Sequence, residues 1–165
     1  ERGLRRAKDA GLVTVLNPAP ADAAIGRREL ACWVDILTPN EVEAATLARL
    51  AAADLPSSQA DPTQMGRRLQ ELGFAKCVIT LGPAGCLVFE DQVVAVPGNH
   101  VQAIDATAAG DAFNGALAVA LSERRSLVEA ARWANRAAAI AVTRRGAQPS
   151  LPTRAEIEAG NARPR

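Results

Sequence analysis

The run Val34-Asp35-Ile36-Leu37-Thr38-Pro39-Asn40-Glu41-Val42-Glu43-Ala44 decides the fold. Its first four residues read as a buried strand, and the segment from Glu41 to about Leu50 reads as a helix. Asn40 stands at the helix start with Glu43 three residues on, nearly a capping box in which each side chain satisfies the other residue's free N–H. A strand that passes directly into a capped helix is half of a β-α-β unit, and such units build parallel sheets.

The flanks repeat the pattern. Upstream, Leu4 to Ala10 predicts a helix ended by Gly11, and Val13-Thr14-Val15-Leu16 a buried strand stopped at Asn17-Pro18. Downstream, Leu55 to Asp61 reads as a polar loop, Pro62 opens a helix that stops at Gly73, and Lys76 to Leu81 forms a third strand. Cys86 to Phe89 and Val93 to Val96 predict a hairpin around Glu90-Asp91-Gln92. Two alanine-rich helices follow, Ala109 to Ser122 and Leu127 to Val142, and a short one starts near the capping pair Thr153 and Glu156. This alternation predicts an α/β fold with a mainly parallel sheet covered on both faces, whose ligands collect at the carboxyl ends of the strands.

Composition narrows the function. The chain has 165 residues, 48% hydrophobic and 22% charged, which suits a globular domain with a real core. A net charge of +1 and 3% aromatic residues provide neither a basic field nor a stacking platform, so a nucleic-acid partner is not expected. No apolar run has the length of a membrane span, and a membrane partner is not expected either. Cys32, Cys77 and Cys86 lack paired metal spacing and read as small buried hydrophobes in a reducing cytoplasm. The first residue is Glu1, within a helix-like stretch, which suggests that residues 1–165 are a fragment of a longer chain.

The chemistry concentrates in Asp105-Ala106-Thr107-Ala108-Ala109-Gly110-Asp111-Ala112-Phe113-Asn114-Gly115-Ala116. Ala108, Ala109 and Gly110 read as the turn that opens the following helix, with backbone N–H groups unpaired and the helix dipole adding positive charge. Nothing larger than a methyl group blocks the approach of a phosphate there. Asp111 stands beside that position, where a carboxylate can take a proton from an attacking hydroxyl. Acidic residues in a first helical turn also stabilise a helix by a few tenths of a kcal/mol, roughly, without any ligand.

From Asn17 to Pro152 the chain resembles the ribokinases of the PfkB-type carbohydrate kinase family. The matching pieces are Asn17-Pro18-Ala19-Pro20-Ala21, Asp35 to Ala44, Ile79-Thr80-Leu81-Gly82-Pro83-Ala84-Gly85, the Asp105 run, and Ala137 to Ser150, in the family's order and spacing. The resemblance implies a three-layer α/β/α, Rossmann-like fold whose N-terminal half and lid are missing here. Residues 1–165 would be the C-terminal nucleotide-binding and catalytic portion. The implied reaction is ATP-dependent phosphorylation of D-ribose to ribose 5-phosphate, with Mg2+ required, K+ activating, a cytoplasmic location and a homodimer in the full-length parent. Taken alone, the chain is expected to be nearly inactive.

The same resemblance assigns roles to residues. Asp111 becomes the base that binds and deprotonates the sugar hydroxyl, and the N–H groups of Ala108, Ala109 and Gly110 the anion hole. Asn40 and Glu43 fall near Mg2+ and the phosphates, Glu43 through water, a role compatible with capping. Thr80, Gly82 and Gly85 match nucleotide contacts, and equally suit an ordinary hairpin connection. Asn135 matches a position packed near adenine, and equally reads as a partly exposed helix residue. Asp105, Thr107, Ala141, Gly146 and Ser150 match a K+ site built largely of backbone carbonyls. Asn17 reads as structural or as a distant group near the phosphates, His100 as a surface residue, Trp33 and Trp133 as packing, and Arg144-Arg145 as a solvated pair that could also attract phosphate. Ala106 and Ala112 depart from the family, where hydroxyl residues are common. Another sugar or a nucleoside as acceptor, and a nucleotide-binding fragment without catalysis, remain as alternatives.

Overall fold

The computed structural model describes residues 1–22, 25, 28–51 and 61–160. Seven helices are described: α1 Arg2–Asp9, α2 Arg28–Ala31, α3 Glu41–Ala51, α4 Pro62–Glu71, α5 Ala109–Ser122, α6 Leu127–Ala141 and α7 Arg154–Ala159. The strands are β1 Val15–Leu16, β2 Ile36–Leu37, β3 Cys77–Thr80, β4 Gly85–Phe89 and β5 Val93–Pro97, in one sheet of order β1-β2-β3-β4-β5. β1, β2 and β3 are parallel, with Val15 opposite Ile36, Leu16 opposite Leu37, and Leu37 opposite Cys77. β4 and β5 are joined by the expected hairpin, closed by Glu90 N–H on Gln92 O at 3.2 Å. The sheet is therefore mixed and mostly parallel, as the alternation of elements requires.

The chain forms two compact units: 1–81 with 87–95, and 82–86 with the chain from Val96 onward. In the first, Leu37, Leu47, Leu69, Phe74, Ile79 and Phe89 are fully buried. Both residues of β2 are buried, as expected of a central strand with both faces covered. In the second, α5 and α6 pack through Ala112, Ala116, Leu117, Ala130, Ala134 and Ala137, small side chains that let two helices approach closely.

Local chemistry sets most boundaries. Asp61 caps α4 by accepting Thr63 N–H at 3.1 Å, with Pro62 in the first helical position. Ser126 with Glu129, and Thr153 with Glu156, form complete capping boxes on α6 and α7. β1, β2 and β3 are shorter than the sequence predicts. Thr14 N–H donates to Asp35 Oδ2 at 2.8 Å, and Thr14 O accepts from both Asp35 N–H and Ile36 N–H at 3.1 and 3.0 Å, so side-chain bonds add to the backbone ones where β1 begins, and Val13 is left 64% exposed. The one-turn helix α2 was not expected from periodicity. Gly85 opens β4 rather than sitting in a turn. The polar loop expected over 55–61 lies, apart from Asp61, outside the described residues.

Candidate active site

α5 opens on Ala108, whose φ of 60° and ψ of 14° are left-handed, a conformation that costs a residue with a Cβ about 1 kcal/mol or more. An alanine cap offers no side-chain acceptor, so the first donors of the helix stay free of capping. Ala109 N–H donates to Ala106 O at 3.2 Å. Among the described residues nothing accepts from the N–H groups of Gly110 and Asp111, the second and third helical positions. The expected turn of Ala108, Ala109 and Gly110 is thus shifted by one. Thr107 and Ala108 form the turn, with Ala108 alone left-handed; Ala109 and Gly110 are already helical, and the Asp111 N–H is free beside that of Gly110. Asn114 Nδ2 donates to Gly110 O at 2.9 Å and braces this first turn, a contact the sequence reading did not find.

Two features make the helix mouth accessible. A Cβ on Gly110 would meet no heavy atom within 4 Å, so the surface of the first turn is open beside the free N–H groups. Asp111 is exposed and lines a groove of about 220 Å3 together with Gly115, Val119, Trp133, Leu151 and Arg154.

The loop before α5 is held by one carboxylate. Asp105 Oδ1 accepts Thr107 N–H at 2.9 Å, and Oδ2 accepts Gly146 N–H, also at 2.9 Å. The Gly146 bond first, then those to Thr107, bring the Asp105 carboxyl down to about 2. Ile104 N–H and Asp105 N–H both donate to Val142 O, at 2.7 and 3.2 Å. Ala141, fully buried, ends α6 directly before Val142, and Ser150, also fully buried, donates to Ala147 O at 2.7 Å. The five residues matched to a K+ site therefore lie on segments that the structure ties together. Each Asp105 oxygen accepts one N–H and keeps a further lone pair, so these segments offer only oxygen donors, carboxylate and backbone carbonyl, a set that suits K+. Among the described residues no cluster of three His, Cys, Asp or Glu side chains forms another kind of metal site.

In the first unit, Asn40 and Thr80 form a parallel bridge at the carboxyl ends of β2 and β3, with Thr80 N–H on Pro39 O at 3.0 Å. Asn40 N–H donates to Glu43 Oε2 at 2.8 Å and Glu43 N–H donates to Asn40 Oδ1 at 2.9 Å, so the capping box is complete. One carboxylate oxygen, Glu43 Oε1, remains outside it. A single carboxylate oxygen reaching the metal through water suits Mg2+, which keeps much of its hydration shell. Asn17 is structural, donating from Nδ2 to Thr38 O at 2.9 Å.

In the second unit, Gly82 has a φ of +55° and open space around it. Gly85 is required by packing: φ is +103°, and a Cβ would lie 2.2 Å from Val96 O and 2.4 Å from Gly98 N. Asn135 is 7% exposed, and its Nδ2 donates to Val96 O at 3.3 Å and Pro97 O at 3.2 Å. Its amide nitrogen thus fastens α6 to β5, which leaves only Oδ1 for a contact with adenine. Beside it, burial pushes the Cys86 thiol up to about 12, although a hydrogen bond with Asn135 pulls the other way. Cys77 and Cys86 are buried as expected, but Cys32 is exposed, its thiol turned back to Glu29 O at 3.0 Å just after α2. His100 is exposed, Trp133 is buried and Trp33 is half-buried beneath Arg5. Arg144 is ion-paired with Glu156 rather than merely solvated.

Residues 2–154 match the family described as pfkB family carbohydrate kinase. The chain is 44% identical over 151 residues to the ribokinase of Haemophilus influenzae, covering 91% of this chain and 47% of that protein. It superposes with a TM-score of 0.84 and 37% identity on the crystal structure of ribokinase from Thermotoga maritima, over 98% of this chain and 52% of the other. The ribokinase of Arabidopsis thaliana complexed with ribose and ATP gives a TM-score of 0.80 at 30% identity, over 94% of this chain and 49% of that one. The chain spans about half the length of the relatives it matches.

Proposed function

Because the chain belongs to the pfkB family of carbohydrate kinases, we propose that it carries the nucleotide-binding and catalytic portion of a ribokinase. In the proposed reaction a ribose hydroxyl oxygen attacks the γ-phosphorus of ATP. The bond from that phosphorus to the β–γ bridging oxygen breaks, ADP leaves, and the hydroxyl proton passes to the Asp111 carboxylate. The unpaired N–H groups of Gly110 and Asp111, at the positive end of α5, stabilise the charge on the transferring phosphoryl oxygens. Ala108 holds the bend that aims them, and Ala109 joins the hole by giving up its long bond to Ala106 O.

Asn40 and Glu43 would hold Mg2+ through water, and the carbonyls of Asp105, Thr107, Ala141, Gly146 and Ser150 a K+ ion. Bound there, the cations would supply neutralisation of phosphate charge. Thr80, Gly82 and Gly85 line the nucleotide's path in this reading, and Asn135 serves it by keeping β5 in place. Ribose as acceptor is supported by the Haemophilus and Thermotoga ribokinases, and ribose with ATP by the Arabidopsis complex. Among the described residues no helix is long and apolar enough to cross a membrane. The three free cysteines accord with a cytoplasmic site of action.

The observation that carries the proposal is the pairing of an exposed acid with free N–H donors at one helix mouth. Its test is a chimera in which this chain replaces the matching part of the Haemophilus ribokinase, compared with its Asp111→Asn variant. General-base loss predicts ribose-dependent ADP release lowered by about 10²–10⁴-fold with nucleotide affinity retained. The isolated chain should show no such release. A variant chimera within a few-fold of its parent would overturn the assignment of Asp111.

A further inference from the structure

In α3, α4, α6 and α7 a polar side chain at the cap, from Asn40, Asp61, Ser126 and Thr153, accepts an N–H of the first turn. α5 is built the other way. Ala108 offers no acceptor, and the N–H groups of Gly110 and Asp111 stay free. The next polar side chain after Asp111, the half-buried Asn114, turns to a carbonyl instead. Its Nδ2 donates to Gly110 O at 2.9 Å. The regular helical bond from the Asn114 main chain ends on the same oxygen, so Gly110 O accepts twice. Side-chain bonds to the carbonyl four residues back do not favour a helix interior, so helix stability gives no account of this one.

The position of the bond gives a better account. Gly110 O belongs to the peptide unit whose N–H is the free donor of Asp111. Hydrogen bonds in a chain polarise one another, so a second donor at the C=O end makes the N–H end a stronger donor. We infer that Asn114 is a positioning residue for phosphoryl transfer, acting through the Gly110–Asp111 peptide to strengthen and aim the N–H that meets the transferring phosphoryl oxygens. The inference rests on the kinase reading proposed above and adds to it a residue that touches neither substrate.

The test uses two side chains of nearly equal shape. Thr46 Oγ1 donates to Val42 O at 2.8 Å in α3, the same four-residue step. Asn114→Thr therefore keeps a donor on Gly110 O, whereas Asn114→Val removes it. Asn, Thr and Val differ little in helix propensity. In the chimera with the Haemophilus ribokinase, Asn114→Val should lower kcat for ribose-dependent ADP release roughly two- to fivefold, the loss of about a tenth to a third of a charged hydrogen bond. Asn114→Thr should restore it, and KM for ribose should not separate the two variants. By NMR of the same chimeras, the Asp111 amide proton should lie upfield in Asn114→Val relative to Asn114→Thr. Equal kcat in the two variants, or a common Asp111 amide shift, would overturn the inference, and so would variants that differ in melting temperature alone. A parental chimera without ribose-dependent ADP release would refute the kinase reading instead, and the amide shift would then decide the polarisation by itself.

Discussion

Replacing Gly110 with alanine separates what the fold needs from what a phosphate needs. Gly110 is the second residue of α5, its φ lies outside the left-handed region, and an added Cβ meets no atom within 4 Å. Nothing in the fold demands glycine there. Alanine lowers the backbone entropy of the unfolded chain and is favoured in helices, by about 0.5–1 kcal/mol. For a chain of this size that raises the melting temperature by roughly 1–4 °C. The methyl group would crowd the open surface beside the free Gly110 and Asp111 N–H groups. Losing one hydrogen bond to a charged phosphate oxygen costs about 1.5–3 kcal/mol, or roughly 10–100-fold in nucleotide affinity. Calorimetric melting and titration with ATP should therefore move in opposite directions, with stability rising and affinity falling. Unchanged affinity would mean that phosphate does not bind at this helix mouth. A lower melting temperature would mean that Gly110 is required by the fold.

Gly85→Ala should behave in the opposite way. The strained φ and the overlap with the Val96 and Gly98 backbone together cost about 2–6 kcal/mol, a large share of a typical folding free energy of about 5–15 kcal/mol, and urea unfolding would register it. A variant as stable as the parent would contradict the backbone approach described here. Asp105 makes a prediction in pH. Its folded value of about 2 is below the ordinary 3.8, so its contribution to stability is present above the ordinary value and is lost as pH falls towards 2. The stability difference between the parent and Asp105→Asn, followed by urea unfolding from pH 6 to pH 2, should shrink across the lower part of that range. A difference independent of pH would exclude the carboxylate as the brace between Thr107 and Gly146.

What the sequence determined by itself is what neighbours in the chain decide together. The reciprocal bonds of Asn40 with Glu43 and Thr153 with Glu156 span three residues, and the starts of α3 and α7 follow from them. The alternation of buried strands and capped helices likewise announces a mostly parallel sheet before any coordinate is known. Tertiary structure decided the rest, because a residue type names a capacity to bond and not the partner. Asp105 meets Gly146 across 41 residues, and Asn135 meets Val96 across 39. Gly85 reads as a turn glycine until the β5 backbone is found against it. The same holds for β1, where Asp35 claims the backbone and hydroxyl of Thr14. Such pairings arise from packing distant segments against one another, and no periodicity along the chain encodes them.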